Sequence, residues 1–348
     1  MLQKQVLKFV SFFLLFAIAF TACSKGEPNN TTTSNPPTNL MVNAVVNPDN
    51  SGNVAFTATA TNAITYDYDF GNGIYQTVVS GSVTYKYPSS GTYAVNVIAK
   101  SANGQVISKS ISVTVSVLLG VTWSDEFDGS GAPDATKWGY DIGTGGGGWG
   151  NNELEYYTSR SNNVSVSNGT LKITAIKEAY SGSAYTSARL LTQNKFSTKY
   201  GRIEVRAKLP VGVGTWPAIW MLGNNVSTIS WPACGEIDIM EHLGRDLNKI
   251  YGTFHYPGRS GGNADGSSLT ITNATTEFHI YSAEWSATTI KLLVDGRLIH
   301  TLNNSTSLPF NQNFFMILNV AMGGTFAGPV ESSFVSSTME IDYVRVYQ

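Results

Sequence analysis

Short runs in which apolar and polar residues alternate set the limits on what this chain can fold into. "VAFTATA" (Val54 to Ala60), "ITYDYDF" (Ile64 to Phe70), "GTYAVNVIAK" (Gly91 to Lys100) and "KSISVTVS" (Lys109 to Ser116) all change character at every residue. Successive side chains of a strand point to opposite faces, so a period of two marks half-buried strands. "GNG" and "SANG" separate these runs as turns. Past Leu118 the runs continue in "NVSVSNGTLKITAIKE", "YGRIEVRAKLP", "GTWPAIWMLG", "GEIDIMEHLG", "NFFMILNVAMGG" and "MEIDYVRVYQ". Hardly any segment holds a helical period beyond two turns. The predicted class is therefore all-β: a small β-sandwich over 41–116, then a larger one over 118–348 made of two stacked antiparallel sheets.

The beginning of the chain differs. Lys4 and Lys8 precede an apolar run from Phe9 to Phe20, which is the pattern of a secretory signal over 1–22 and is too short to span a bilayer. "FTAC" resembles a bacterial lipobox with Phe20 where Leu is usual, and it marks Cys23 for lipidation; a plain signal peptide with an incidental Cys23 is the alternative. Residues 23–40 are rich in Asn, Thr, Ser and Pro and read as a flexible tether. These features together predict an exported, monomeric protein held to a bacterial outer membrane by acyl chains alone. The second cysteine, Cys234, is then left with no disulfide partner. A net charge of −2 without Lys/Arg runs excludes a nucleic-acid partner, whose phosphates need a basic footprint.

Only 13% of residues are charged, yet "WPACGEIDIMEHLG" carries Glu236, Asp238 and Glu241 within six positions. Alternation puts Glu236 and Asp238 on one face of a strand and Ile237 and Ile239 on the other. In a regular strand Glu241 would then enter the core, where an uncompensated carboxylate costs several kcal/mol. A β-bulge near Ile239 and Met240 returns it to the face of the other two acids. Four strand steps then separate Glu236 from Glu241, and inward-leaning side chains leave about 5 to 7 Å between carboxyl groups. That span overlaps both retaining and inverting glycosidases and leans to retention. A solvated edge strand is the competing reading. Trp216 and Trp220 on one strand face, with Trp231 five residues before Glu236, favour a sugar-binding cleft instead.

Two resemblances follow from these residues. "YDYDFGNG" and "YKYPSSGTYAVNVIA" resemble the PKD modules, immunoglobulin-like sandwiches that serve mostly as spacers, with Asn72 where that family has Asp. "WPACGEIDIMEHLG" with "YGRIEVRAKLPVGVGTWPAIWMLG", "WSDEFDG", "WGNNELEYYT", "IYGTFHY", "FHIYSAEW" and "DYVRVYQ" resembles glycoside hydrolase family 16, in particular its laminarinase-like members. The resemblance implies a concanavalin-like jelly roll that cleaves β-1,3-glucan with retention. Glu236 would be the nucleophile, Asp238 the modulating carboxylate and Glu241 the general acid/base. It further implies Trp216, Trp231, Trp285, His255, Asn151 and Arg160 in substrate binding, no cofactor in catalysis, and a structural calcium held by Glu126, Gly169 and Asp342. Hydrolysis of mixed-linkage glucan, agar or carrageenan, and a non-catalytic glycan-binding lipoprotein, are the alternatives.

Overall fold

The computed structural model describes residues 35–348. The signal segment, Cys23 and the tether as far as residue 34 lie outside the described residues. The first strand, Thr38–Val46, begins inside the stretch read as tether, and Leu40 already belongs to a core. The tether expectation was therefore too long at its C-terminal end: one apolar residue among polar ones is enough to start a strand when a sheet is there to receive it.

The N-terminal sandwich pairs Thr38–Val46, Asn53–Thr61 and Ser82–Lys86 in one sheet and Tyr75–Val78, Thr65–Asp69, Gly91–Lys100 and Val106–Val115 in the other. The period-two residues of the sequence, Val54, Phe56, Tyr66, Tyr68, Val95 and Val97, fill its core. Phe70 stacks on Tyr85 with ring centroids 3.9 Å apart, and Asn72 in the turn donates from Nδ2 to the Tyr85 hydroxyl (2.8 Å). Asparagine thus serves this turn by tying it to the aromatic column below.

The larger sandwich stacks a seven-stranded sheet on a ten-stranded one. The seven-stranded sheet runs in the order Asp265–Thr270, Lys249–His255, Glu236–His242, Thr215–Gly223, Phe314–Met322, Arg189–Leu191, Gly139–Asp141. Strands far apart in sequence thereby become neighbours, and the acidic strand lies near the middle. Its inner face, Ile237, Ile239 and Met240, is fully buried against the other sheet. That anchoring holds the opposite face in a fixed register. Close approach of two segments helps: a Cβ on Gly223 would lie 2.0 Å from the carbonyl oxygen of Cys234, so only glycine lets the chain enter the acidic strand there.

Candidate active site

The bulge is present on both sides of the acidic strand. Toward Lys249–His255, Asp238 faces Thr253 and Glu241 faces Tyr251, so the two residues Ile239 and Met240 oppose the single Gly252. Toward Thr215–Gly223, Trp220 faces Asp238 and Ile219 faces Met240, so Ile239 is passed over. Ile239 and Met240 both enter the core, and Glu241 returns to the side of Glu236 and Asp238. All three acids line one cleft of about 970 Å³.

The sequence-predicted residues divide there. Trp216, Trp231, His255 and Asn151 line the cleft with the acids. Trp231 is 46% exposed and donates from Nε1 to Glu236 Oε2 (3.0 Å). Trp216 Nε1 and Thr253 Oγ1 donate to the two oxygens of Glu241 (3.0 and 3.2 Å). His255 Nε2 stands 3.7 Å from Glu236 Oε1 and 3.2 Å from Asp238 Oδ2. Asn151 donates to Glu153, which also accepts from the Tyr157 hydroxyl.

Two expectations are corrected. Trp285 lies on the other sheet, 3% exposed within the core, with its Nε1 donating to the Phe310 carbonyl (3.1 Å). Arg160 is engaged away from the cleft: it pairs with Glu178, donates to Asn163 Oδ1, and lies 4.3 Å over the Tyr180 ring. The calcium expectation also meets an obstacle. Glu126 accepts two hydrogen bonds from Arg345, and Asp342 pairs with Arg206. Glu126 borders an acidic pocket of about 380 Å³ that neither Gly169 nor Asp342 lines. As placed, the three do not fit a calcium cage, since a guanidinium already neutralises each carboxylate.

Several cleft residues were not singled out from sequence. Arg189 is clamped between the rings of Trp149 (4.4 Å) and Trp220 (4.7 Å) and pairs with Asp141 (3.0 Å). Phe326, in the single helical turn Gly324–Ala327, packs edge-on against Trp216 and Tyr251. No local pattern marks either residue, because their partners are distant in sequence. Trp149 opens the "WGNNELEYYT" motif, and its ring is the signal in sequence that points to this clamp.

The electrostatics follow from burial. Desolvation, then the neighbouring Asp238, push Glu236 up to about 8, while His255 and Arg189 act in the opposite direction. Desolvation and the Glu241 charge hold Asp238 well above the usual carboxylate range. Burial also raises Glu241, against the lowering effect of its Trp216 and Thr253 donors. Three carboxyls this close cannot all ionise readily, so the group retains protons where isolated acids would have lost them. The Trp231 N–H and Arg189 favour charge on Glu236, and the Trp216 N–H and Thr253 hydroxyl favour it on Glu241. A carboxylate and a carboxylic acid side by side, under a wall of tryptophans, can attack a glycosidic carbon and protonate its leaving oxygen.

Comparisons with known proteins bear on the same residues. The family model for glycosyl hydrolases family 16 matches residues 151–345, and that for the PKD domain matches 39–117. The chain is 45% identical over 244 residues to a beta-glucanase of Rhodothermus marinus, covering 66% of this chain and 85% of that protein. It is 36% identical over 248 residues to a glucan endo-1,3-beta-glucosidase of Cryptopygus antarcticus, covering 64% and 90%. The crystal structure of the Rhodothermus marinus laminarinase superposes with a TM-score of 0.63 at 44% identity, over 66% of this chain and 98% of that one.

Proposed function

The chain belongs to family 16 of the glycosyl hydrolases, and on that premise we propose that it is an endo-acting hydrolase of β-1,3-glucan that retains anomeric configuration. The observation that carries the reading is the bulged strand, which aims Glu236, Asp238 and Glu241 into one cleft beside Trp216, Trp220 and Trp231. Ionised Glu236 attacks the anomeric carbon as the glycosidic bond breaks, and Glu241 gives its proton to the leaving oxygen. Glu241 then takes a proton from water, which attacks the same carbon and releases Glu236. Two inversions leave the configuration unchanged. Asp238 shares the protons and charge of the cluster while its neighbours change state.

A neutral glucan suits the cleft better than a sulfated galactan. Among the described residues lining it, Arg189 is the one arginine or lysine, and Asp141 already pairs with it. Sulfate esters would find no free guanidinium or ammonium there. The protein is further proposed to be an exported monomer carried on the membrane by a lipidated Cys23, with the PKD domain as spacer; the signal pattern and "FTAC" support this.

Incubation with laminarin, mixed-linkage glucan, agarose and carrageenan, with released reducing ends measured and the first-formed anomer read by proton NMR, tests the proposal. Release from laminarin as the β-anomer is expected. Tight binding of laminarin without release would instead identify a glucan-binding protein.

A further inference from the structure

The proton on His255 has a place assigned by its neighbours. His255 ends the strand Lys249–His255 and pairs in register with Glu236, so its ring enters the cleft beside the acids. Its Nδ1 accepts a hydrogen bond from the backbone N–H of Gly261 (3.1 Å). Gly261 holds φ at +56°, a left-handed conformation that glycine adopts without strain. A neutral imidazole has one donor and one acceptor nitrogen. A nitrogen that accepts from an amide carries the lone pair, so the ring proton belongs on Nε2.

That nitrogen lies 3.2 Å from Asp238 Oδ2 and 3.7 Å from Glu236 Oε1. Asp238 Oδ2 is buried and has no aligned hydrogen-bond partner. Contacts of this kind are often long in the free enzyme and shorten when substrate arrives. Trp231 packs beside the imidazole at 5.7 Å between centroids, which limits how the ring can turn. The ligating atoms of Glu236, Asp238 and His255 all fall within 4.8 Å of one another, the spacing of a small metal site. A metal would need the Nε2 lone pair, and the Gly261 amide assigns a proton there instead.

We infer that His255 is a positioning residue of the reaction: a neutral imidazole, its tautomer fixed by the Gly261 amide, whose Nε2–H stands beside Glu236 and Asp238 and closes on them when substrate arrives. The inference rests on the function proposed above. Glu236 loses its negative charge when the glycosyl bond forms and regains it when water displaces the sugar. A fixed donor holds that carboxyl in line for attack and favours its ionised form at both ends of the cycle, without giving up its own proton.

Two measurements on the full chain test this. Long-range proton–nitrogen NMR at about pH 8, with the His255 signals identified by their loss in His255→Gln, should find Nδ1 unprotonated and Nε2 protonated. In kinetics on laminarin, His255→Ala should lower kcat roughly 10- to 100-fold, the size of a small misplacement of a reacting group, with KM within about twofold. His255→Gln, which keeps an N–H near the Nε2 position, should recover much of the loss. The opposite tautomer, an effect on KM alone, or competitive inhibition by Zn²⁺ that His255→Gln abolishes would each overturn the inference. If the wild-type protein hydrolysed no glucan, the function proposed above would fall, while NMR would still decide where the proton sits.

Discussion

Replacing Glu236 by Gln should make the protein more stable near neutral pH while removing its activity. The folded state holds the Glu236 carboxyl up at about 8, against about 4.5 when the chain is unfolded. A raised carboxyl pKa contributes fully below the unfolded value, and its contribution is lost as pH rises toward the folded one. At pH 7 the gap from 4.5 is about 2.5 units at roughly 1.4 kcal/mol each, or about 3 to 4 kcal/mol against the folded state. About 15% of the side chain reaches solvent, and Asp238 and Glu241 share the titration, so roughly half, about 2 kcal/mol, is the expected gain in the Gln variant. For a domain of this size each kcal/mol moves Tm by about 2 to 4 °C, which gives about 4 to 8 °C. Differential scanning fluorimetry of both proteins at pH 4.5 and pH 7, following the transition of the larger domain, measures it. Turnover on laminarin should fall by roughly 10³-fold or more. A Tm unchanged or lowered at pH 7, or raised equally at both pH values, would refute the argument that the fold disfavours ionisation of Glu236.

Three further outcomes follow from the same geometry. Glu241→Ala should be rescued by azide to give the β-glycosyl azide and Glu236→Ala the α-azide, because azide replaces water in the first case and the nucleophile in the second; product NMR distinguishes them. Trp231→Phe keeps a ring but loses the N–H to Glu236, so kcat on laminarin should fall by roughly 10-fold, the loss of one hydrogen bond to a charged group, with Tm nearly unchanged. Trp285→Ala should cost about 3 to 5 kcal/mol in urea unfolding, as a buried core side chain does, while the folded fraction keeps the wild-type KM.

The bulge was legible because the acids and isoleucines leave no regular strand that keeps three carboxylates out of the core. The two sandwiches were legible for a similar reason, since alternation at two residues excludes helices outright. Alternation cannot say which of two sheets a strand joins. Trp285 and Trp216 both sit in alternating runs, yet one faces the core and the other the cleft. Charge pairs were equally invisible: Arg160 finds Glu178 eighteen positions on, and Arg189 finds Asp141 through strand pairing. The three calcium candidates each had the right oxygen, and only folding brought guanidinium groups to two of them. The family resemblance puts His255 in the cleft, but the Gly261 amide that fixes its tautomer depends on a turn that closes only in three dimensions.

The strand register leads to a last prediction, about how much of the bulge the site needs. Deleting Ile239 would leave Glu236, Asp238 and Glu241 at even spacing, which is regular alternation. On one side, Leu222, Trp220, Ile219 and Ala218 would keep their present partners Glu236, Asp238, Met240 and Glu241 with no residue passed over. On the other, His255, Thr253 and Tyr251 would keep Glu236, Asp238 and Glu241. No strand pair has to shift to close the gap. What is lost is one fully buried side chain, worth about 2 to 5 kcal/mol of stability by analogy with large-to-small core changes. The deletion variant should therefore fold, unfold at lower urea, and retain turnover on laminarin well above that of Glu241→Ala. A soluble, folded variant with no more activity than Glu241→Ala would mean that the extra twist of the bulge, and not merely the shared face, sets the aim of the acid. An unfolded variant would mean that the core, rather than the cleft, depends on the inserted residue.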